Sequence, residues 1–306
     1  MDAVQPQSEA PAMPWHVTAF YRFQPFNEAD LPAMKERLRE VMEASGVLGL
    51  VILAPEGFNG TVAGPTDGIE ALKAFVQSWV EDAPVRFKDS FSNEAPFHRV
   101  SIDLRKEIVG LKRTDLAPEA EDNRHLSPAE WHAMLLSDEP KIIIDTRNDY
   151  ETKIGKFRGA IDPGIKKFSD WKTYLQSTDL PKDIPVMIYC TGGIRCEKAI
   201  LEMDEEGFQR VVQLRDGILG YLAEYPDGEY EGECYVFDDR TAVDAHLQPS
   251  ALYSTCPGCG LAGDRAYTCE WCGDEFKVCA ECEPKWKRHC SKTCRDRVLR
   301  RDRKKA

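Results

Sequence analysis

The first 189 residues of this 306-residue chain contain no cysteine, and eight of its 11 cysteines crowd between Cys256 and Cys294. That placement excludes a disulfide-stapled secreted framework, whose bridges would be spread through the fold. No apolar run approaches the roughly 18 residues of a membrane span, so no membrane partner is expected. Residues 1–14 lack the basic stretch and apolar core of a secretory signal, and read as a flexible lead. The expected setting is a reducing cytoplasm, where clustered thiols bind metal. A Gly-x-Gly-x-x-Gly loop for a flavin is also missing. The 6 histidines are scattered, with no clear pair to join a carboxylate around iron. Neither a flavin nor a catalytic iron is expected.

The length predicts two or three domains, and 42% hydrophobic residues are enough for real cores. The net charge of −12 is unevenly spread: residues 1–255 carry 27 basic and 44 acidic side chains, residues 256–306 carry 13 and 8. An acidic body with a basic end means that a polyanion is met locally. The plain alternative is a solvated tail.

His16 to Phe23 alternates like a strand. Asp30 is placed to cap a helix bearing Leu31, Met34, Leu38 and Val41 on one face and stopped by Gly46. Val47 to Leu53 reads as a second strand, Pro55 to Gly60 as a tight turn, and Thr61 to Ala63 as a third strand. Thr66 caps a helix with Leu72, Phe75, Val76 and Trp79, and Phe97 to Leu104 closes the unit. This βαββαβ order predicts a ferredoxin-like or acylphosphatase-like α+β domain over residues 15–111. Polar residues 112–127, broken by Pro118, read as a linker. Strands alternating with helices over residues 128–233 predict an α/β domain with a parallel sheet, whose ligands bind beyond the carboxyl ends of the strands. Residues 234–306 read as a cysteine-rich region with a basic C-terminal tail.

Two strand ends carry chemistry. Asp145, with Arg147 and Glu151 close behind it, ends the strand that opens with Lys141. Val186 to Tyr189 ends on Cys190, followed by Thr191, Gly192, Gly193, Ile194, Arg195 and Cys196 at the mouth of a helix. Loop amides and a helix N-terminus both stabilise a thiolate there. Cys190 is therefore the candidate nucleophile, with residues 191–195 as its anion-binding loop. The competing reading is a small buried hydrophobe capping a strand. Asp145 and Arg147 are expected to brace the loop. Arg195 is expected to bind a substrate phosphate or a helix-end carbonyl. Cys196 either resolves an oxidised Cys190 or only packs.

Asp-Thr-Arg, Glu151, the Gly155-to-Ala160 stretch and Cys-x-x-Gly-x-Arg together resemble a rhodanese domain, with Lys156 where the family usually has histidine. Rhodanese cysteines carry sulfur as a persulfide. Glu56 to Thr61, the Pro96-Phe97 segment running to Val109, Cys190 to Glu197 and Cys234 to Arg240 further resemble, in order, the bacterial rhodanese-domain tRNA uridine hydroxylases. The resemblance implies oxygen-dependent conversion of the wobble uridine in the tRNA anticodon to 5-hydroxyuridine, with molecular oxygen as co-substrate. Two other functions compete: a sulfurtransferase acting through a Cys190 persulfide, and a zinc-organised RNA- or protein-binding module.

The last cysteines, Cys256, Cys259, Cys269, Cys272, Cys279, Cys282, Cys290 and Cys294, form three C-x-x-C pairs and one C-x-x-x-C pair. Eight thiolates suffice for two tetrahedral Zn²⁺ sites, and a segment with so little core needs metal to fold. Sequential and cross-braced pairings remain open, and His289 is read as a bystander. Two zinc ions on eight thiolates would contribute −4 against the segment's +5. The effective positive charge would then lie from Arg295 to Lys305, where it could track phosphates.

Overall fold

The computed structural model describes residues 14–81, 83–118 and 124–304. The expected N-terminal lead, apart from Pro14, lies outside the described residues, as do part of the expected linker and Lys305. The first unit runs β1 (Trp15–Phe23), α1 (Leu31–Ala44), β2 (Leu48–Ala54), β3 (Gly57–Gly64), α2 (Thr66–Gln77), β4 (Phe87–Ser92) and β5 (Val100–Leu104). The sheet order is β4-β1-β3-β2-β5. The first four strands form an antiparallel acylphosphatase-like sheet, and β5 adds to its edge parallel to β2.

This differs from the sequence reading in two places. The strand that completes the βαββαβ unit is β4, not the segment ending at Leu104. Gly57 to Gly60 belongs to β3, so the turn after β2 shrinks to residues 55 and 56. The glycines at the start of β3 imitate a turn, yet a side chain on Gly57 would meet the Arg22 carbonyl oxygen at 2.0 Å; β4 was hidden for a different reason. The sheet is covered on both faces, so its strands do not show a simple alternation of apolar and polar residues. Phe20, Val51, Phe58 and Val62 pack against Leu38 and Met42 of α1 and Leu72 and Val76 of α2. Alternate positions on the same strands, including Tyr21, Ile52 and Asn59, face the second unit across a shared cavity.

The second unit contains β6 (His125–Leu126), α3 (Pro128–Leu136), β7 (Ile142–Asp145), α4 (Asp149–Thr152), β8 (Gly155–Phe157), α5 (Trp171–Ser177), β9 (Val186–Tyr189), α6 (Ile194–Glu205), β10 (Val211–Leu214) and α7 (Gly217–Glu224). Its parallel sheet has the order β6-β10-β9-β7. Every residue of β9 is buried. Val186 and Ile188 point to a layer with Trp171 and Met203, while Met187 and Tyr189 point to Trp131 and Phe157. Ser127 and Glu130 close α3 with a reciprocal cap.

The expected linker is not a free tether. Leu116 packs into the core of the parallel sheet, and His125–Leu126 form its edge strand. Lys198 of α6 is fully buried and bonds Glu56 at 2.8 Å and Glu107 at 2.7 Å. Its Nζ also lies 3.3 Å from the Arg113 carbonyl, so it pins both the first unit and the start of the linker to the second.

Beyond α7, β11 (Tyr230–Gly232) pairs with β8, and β12 (Cys234–Tyr235) pairs with β13 (Ala242–Val243). Cys234, Val236 and Val243 join the core beside Trp131 and Tyr221. The start of the cysteine-rich region thus belongs to the core of the second unit. The thiol-bearing module runs from β14 (Ser254–Thr255) through β15 (Ala262–Gly263), β16 (Arg265–Thr268), β17 (Glu275–Val278) and α8 (Glu283–Trp286) to α9 (Lys292–Arg303). Among the described residues, no helix is long and apolar enough to cross a membrane.

Removing one partner of a buried ion cluster strands the others without water. Lys198→Ala should therefore lose about 3–5 kcal/mol of stability, read as a lower urea midpoint of the intact chain.

Candidate active site and metal centres

Cys190 sits at the carboxyl end of β9 and is 1% exposed. Its Sγ accepts a hydrogen bond from the Gly193 N–H at 3.1 Å. Gly193 can aim that amide inward because its φ is 100°. A methyl group there would also stand 2.8 Å from the Tyr21 hydroxyl. Gly217, with φ of 61°, opens α7 directly against the loop. A methyl on it would meet the Cys190 carbonyl oxygen at 2.5 Å.

Burial opposes the Cys190 thiolate. Hydrogen bonding from Cys196, the Arg195 charge and the amides of Arg195 and Gly193 outweigh it, lowering the thiol to about 6. Burial and the neighbouring Cys190 push Cys196 upward, so it is the donor of the pair. Cys234 shows the contrasting case, a buried thiol without such donors, pushed up to about 12 by burial.

The side-chain partner of Arg195 is a carboxylate, which the sequence reading did not foresee. Its guanidinium is buried and bidentate to Glu151, at 2.6 and 2.7 Å. Burial would raise the Glu151 carboxyl, but Arg195 holds it below its ordinary range. Thr191 lies beside the same pair, its hydroxyl 3.4 Å from Glu151. Asp145 and Arg147 are fully buried partners, 2.7 Å apart. Arg147 reaches the Gly155 carbonyl at 2.6 Å, so this pair ties β7 to β8. Thr146 lies between them in sequence and touches the loop directly. Its hydroxyl donates to the Tyr189 carbonyl at 2.9 Å and lies 3.6 Å from Cys196 Sγ.

Cys190, Thr191, Gly192, Ile194 and Arg195 line one wall of a cavity of about 320 Å³. The opposite wall is the open face of the first sheet, including Tyr21, Lys88 and Ser90. Phe237, Asp238 and Arg240 form a third side, with Arg240 bonded to Ser90 Oγ at 2.9 Å. Tyr21 donates to Glu197 at 2.8 Å, and Glu197 also meets Gln213 and His125 at 2.9 and 3.0 Å. The cavity is mostly apolar and has a sulfur anion in its wall, the arrangement needed for attack on an electrophilic ring or transfer of a sulfur atom. Sequence reasoning missed Tyr21, Lys88, Phe237 and Arg240 as wall residues. The available signal for Lys88 was a polar stretch, Lys88 to Ser90, held between Phe87 and Phe91.

The eight clustered cysteines form two interleaved sets: Cys256, Cys259, Cys279 and Cys282, and Cys269, Cys272, Cys290 and Cys294. Four sulfurs at a Zn–S bond length of about 2.3 Å lie about 3.8 Å apart. The observed separations are 3.6 Å for Cys259–Cys279, 3.5 Å for Cys272–Cys290 and 3.7 Å for Cys272–Cys294. Both sets can therefore hold a metal ion, and the pairing is cross-braced. His289 is buried outside both sets, with Nε2 3.2 Å from the Lys285 carbonyl.

The basic tail is partly neutralised within the module. Arg288 and Arg301 bind Glu270 at 2.6 and 2.8 Å, and Arg288 also binds Asp302 at 2.7 Å. Arg295 and Arg297 lie over the rings of Trp286 and Trp271.

A parallel sheet with a cysteine loop at its carboxyl edge, facing an acylphosphatase-like sheet, defines a rhodanese-domain protein with an added lid. Residues 15–108 match the family described as UPF0176 acylphosphatase like domain, residues 127–224 the Rhodanese-like domain, and residues 231–295 the Rhodanase C-terminal family. The tRNA uridine(34) hydroxylase of Bdellovibrio bacteriovorus is 42% identical over 283 residues, 92% of this chain and 80% of that one. The enzyme of the same name from Legionella pneumophila is 41% identical over 76% of this chain and 91% of its own. The one from Rhizobium etli is 43% identical over 77% and 76%. The chain belongs to the tRNA uridine(34) hydroxylase family.

The thiolate form alkylates and the thiol does not. Modification of Cys190 by iodoacetamide, followed on its own peptide by mass spectrometry, should rise with pH through a midpoint near 6, against about 8.5 for a free thiol. Cys196→Ala should move that midpoint upward, and Cys196→Ser, which keeps a donor, should move it less.

Proposed function

We propose that this protein hydroxylates C5 of the wobble uridine in tRNA, with Cys190 as the nucleophile. The observation that carries this reading is a stabilised thiolate in the wall of a mostly apolar cavity large enough for a base. Ring carbon C5 of uracil must be made electron-rich before it can meet an oxygen donor. Addition of the Cys190 sulfur to C6 does this, moving the C5–C6 electron pair toward O4 as an enolate. After oxygen transfer, loss of the C5 proton and expulsion of the sulfur restore the ring. Molecular oxygen is the co-substrate, with one atom going to C5 and the other to water, and an external two-electron donor completes the balance. Thr191, Gly192, Gly193, Ile194 and Arg195 shape the loop, while Asp145, Arg147 and Cys196 support it.

The wobble base must leave its stack to reach a sulfur this deep, and the cavity between two units is suited to a splayed-out base. The anticodon arm is thus the partner and the cytoplasm the setting. The interleaved cysteine sets hold two structural Zn²⁺ ions. Cysteine-only tetrahedral sites favour zinc, and no ligand position is left open for catalysis. Metal analysis should find two zinc ions per chain, with Cys259→Ser and Cys272→Ser each losing one.

The loop geometry also favours a second reading, sulfur transfer from a Cys190 persulfide, because the inward amide of Gly193 would serve a sulfane sulfur equally well. A thiosulfate:cyanide assay separates the two. The decisive experiment is nucleoside mass spectrometry of bulk tRNA from cells lacking the gene. Wild type should restore 5-hydroxyuridine and its derivatives, and Cys190→Ala should not. Restoration by Cys190→Ala would remove the nucleophile assignment. Failure of wild type to restore them, with no redundant pathway running, would remove the hydroxylase reading.

A further inference from the structure

Lys88 projects from β4 of the first sheet into the cavity wall opposite Cys190. Its side chain is only 6% exposed. Its Nζ has no hydrogen-bond partner among the described residues. The nearest carboxylate oxygen, on Asp216, stands 3.8 Å away, beyond hydrogen-bond reach, and Asp216 already receives two bonds from Arg86 Nε at 2.9 Å. The ammonium lies over the Tyr21 ring, 4.7 Å from its centroid. The aliphatic stem runs over the cysteine loop, where a methyl on Gly192 would touch Cδ and Cε at 4.0 Å.

A buried ammonium without a hydrogen bond is costly, and it offers three donors and no acceptor. Burial lowers the Lys88 amine, while Asp216 and the Cys190 sulfur favour its charged form. The missing partner is therefore an acceptor brought by whatever fills the cavity. A uracil ring attacked at C6 presents O4 as a carbonyl acceptor that gains negative charge. Cytosine presents an amino donor at the same position, which an ammonium rejects.

We propose that Lys88 is the specificity-determining contact of the cavity, donating to the C4 carbonyl of a uracil base seated against Cys190 and excluding cytosine. The proposal rests on the reading of this cavity as a base pocket. It adds a residue of the first domain to a site otherwise built by the rhodanese domain, and gives that domain a chemical task.

The test measures binding without turnover. Synthetic anticodon-arm RNAs, identical except for uridine or cytidine at the wobble position, are titrated into the full-length protein by fluorescence anisotropy. Wild type should prefer the uridine arm by about 10-fold or more, the range of a hydrogen bond from a charged donor. Lys88→Met removes the donor at similar length and should bring the two affinities within about twofold. Lys88→Gln offers both a donor and an acceptor and should also lose the preference. Unchanged zinc content and an unchanged urea midpoint certify the fold of each variant. The proposal is overturned if both variants keep the wild-type preference, if wild type does not distinguish the two arms, or if it binds neither. Because no product is measured, failure of the hydroxylase reading registers separately, in the tRNA nucleosides.

Discussion

A sulfur anion buried to 1% exposure survives only if fixed dipoles and charges replace the water it has lost. Much of the architecture around Cys190 follows from that constraint. The Gly193 amide turns inward only because its backbone takes a positive φ. Arg195 must lie close enough to favour the thiolate, yet as a buried cation it needs a counter-ion of its own, which Glu151 supplies bidentately. Glu151 in turn is held in place by capping α4. The loop is tied to α4 by this ion pair and to the start of α7 by backbone bonds from Ile218 and Leu219 to the carbonyls of Cys190 and Thr191.

The first domain completes this environment. Its sheet has one face covered by α1 and α2, and its other face closes the cavity over the cysteine loop. A sheet covered on both sides needs apolar residues on both, and some of its polar residues serve the cavity. Tyr21, Lys88 and Ser90 are such residues. The buried cluster of Lys198, Glu56 and Glu107 sets the approach of the two domains, and it is costly to break because each charge has given up its water for the others. Charge also organises the distal module, where Arg288, Arg301, Glu270 and Asp302 form a surface network.

The cysteine-rich module obeys a different rule. Its apolar cluster is small, centred on Val278 and Trp286 with the sulfurs of one set packed around them. Interleaving the two four-cysteine sets means that each ion ties together segments that the other ion also constrains. Metal binding and folding are then one event.

The sequence alone determined those features whose cause is local. Strand β9 is an uninterrupted apolar run ending in cysteine, and the two glycines that follow permit the positive φ its loop needs. The cap of α3 lies within four adjacent residues, and eight cysteines at metal-binding spacing announce thiolate sites. Tertiary structure alone decided everything that depends on a distant partner. The pairing of Arg195 with Glu151, 44 residues earlier in the chain, could not be read from either segment alone. The pairing of the metal sets needed three-dimensional proximity of cysteines as far apart as 256 and 282. Strand β4 was hidden because Phe87 faces the helical core while Lys88 and Ser90 face the cavity, so its pattern imitates a polar loop. A residue's neighbours along the chain set its backbone, but the dielectric and the charges around it come from other elements, and those decide its chemistry.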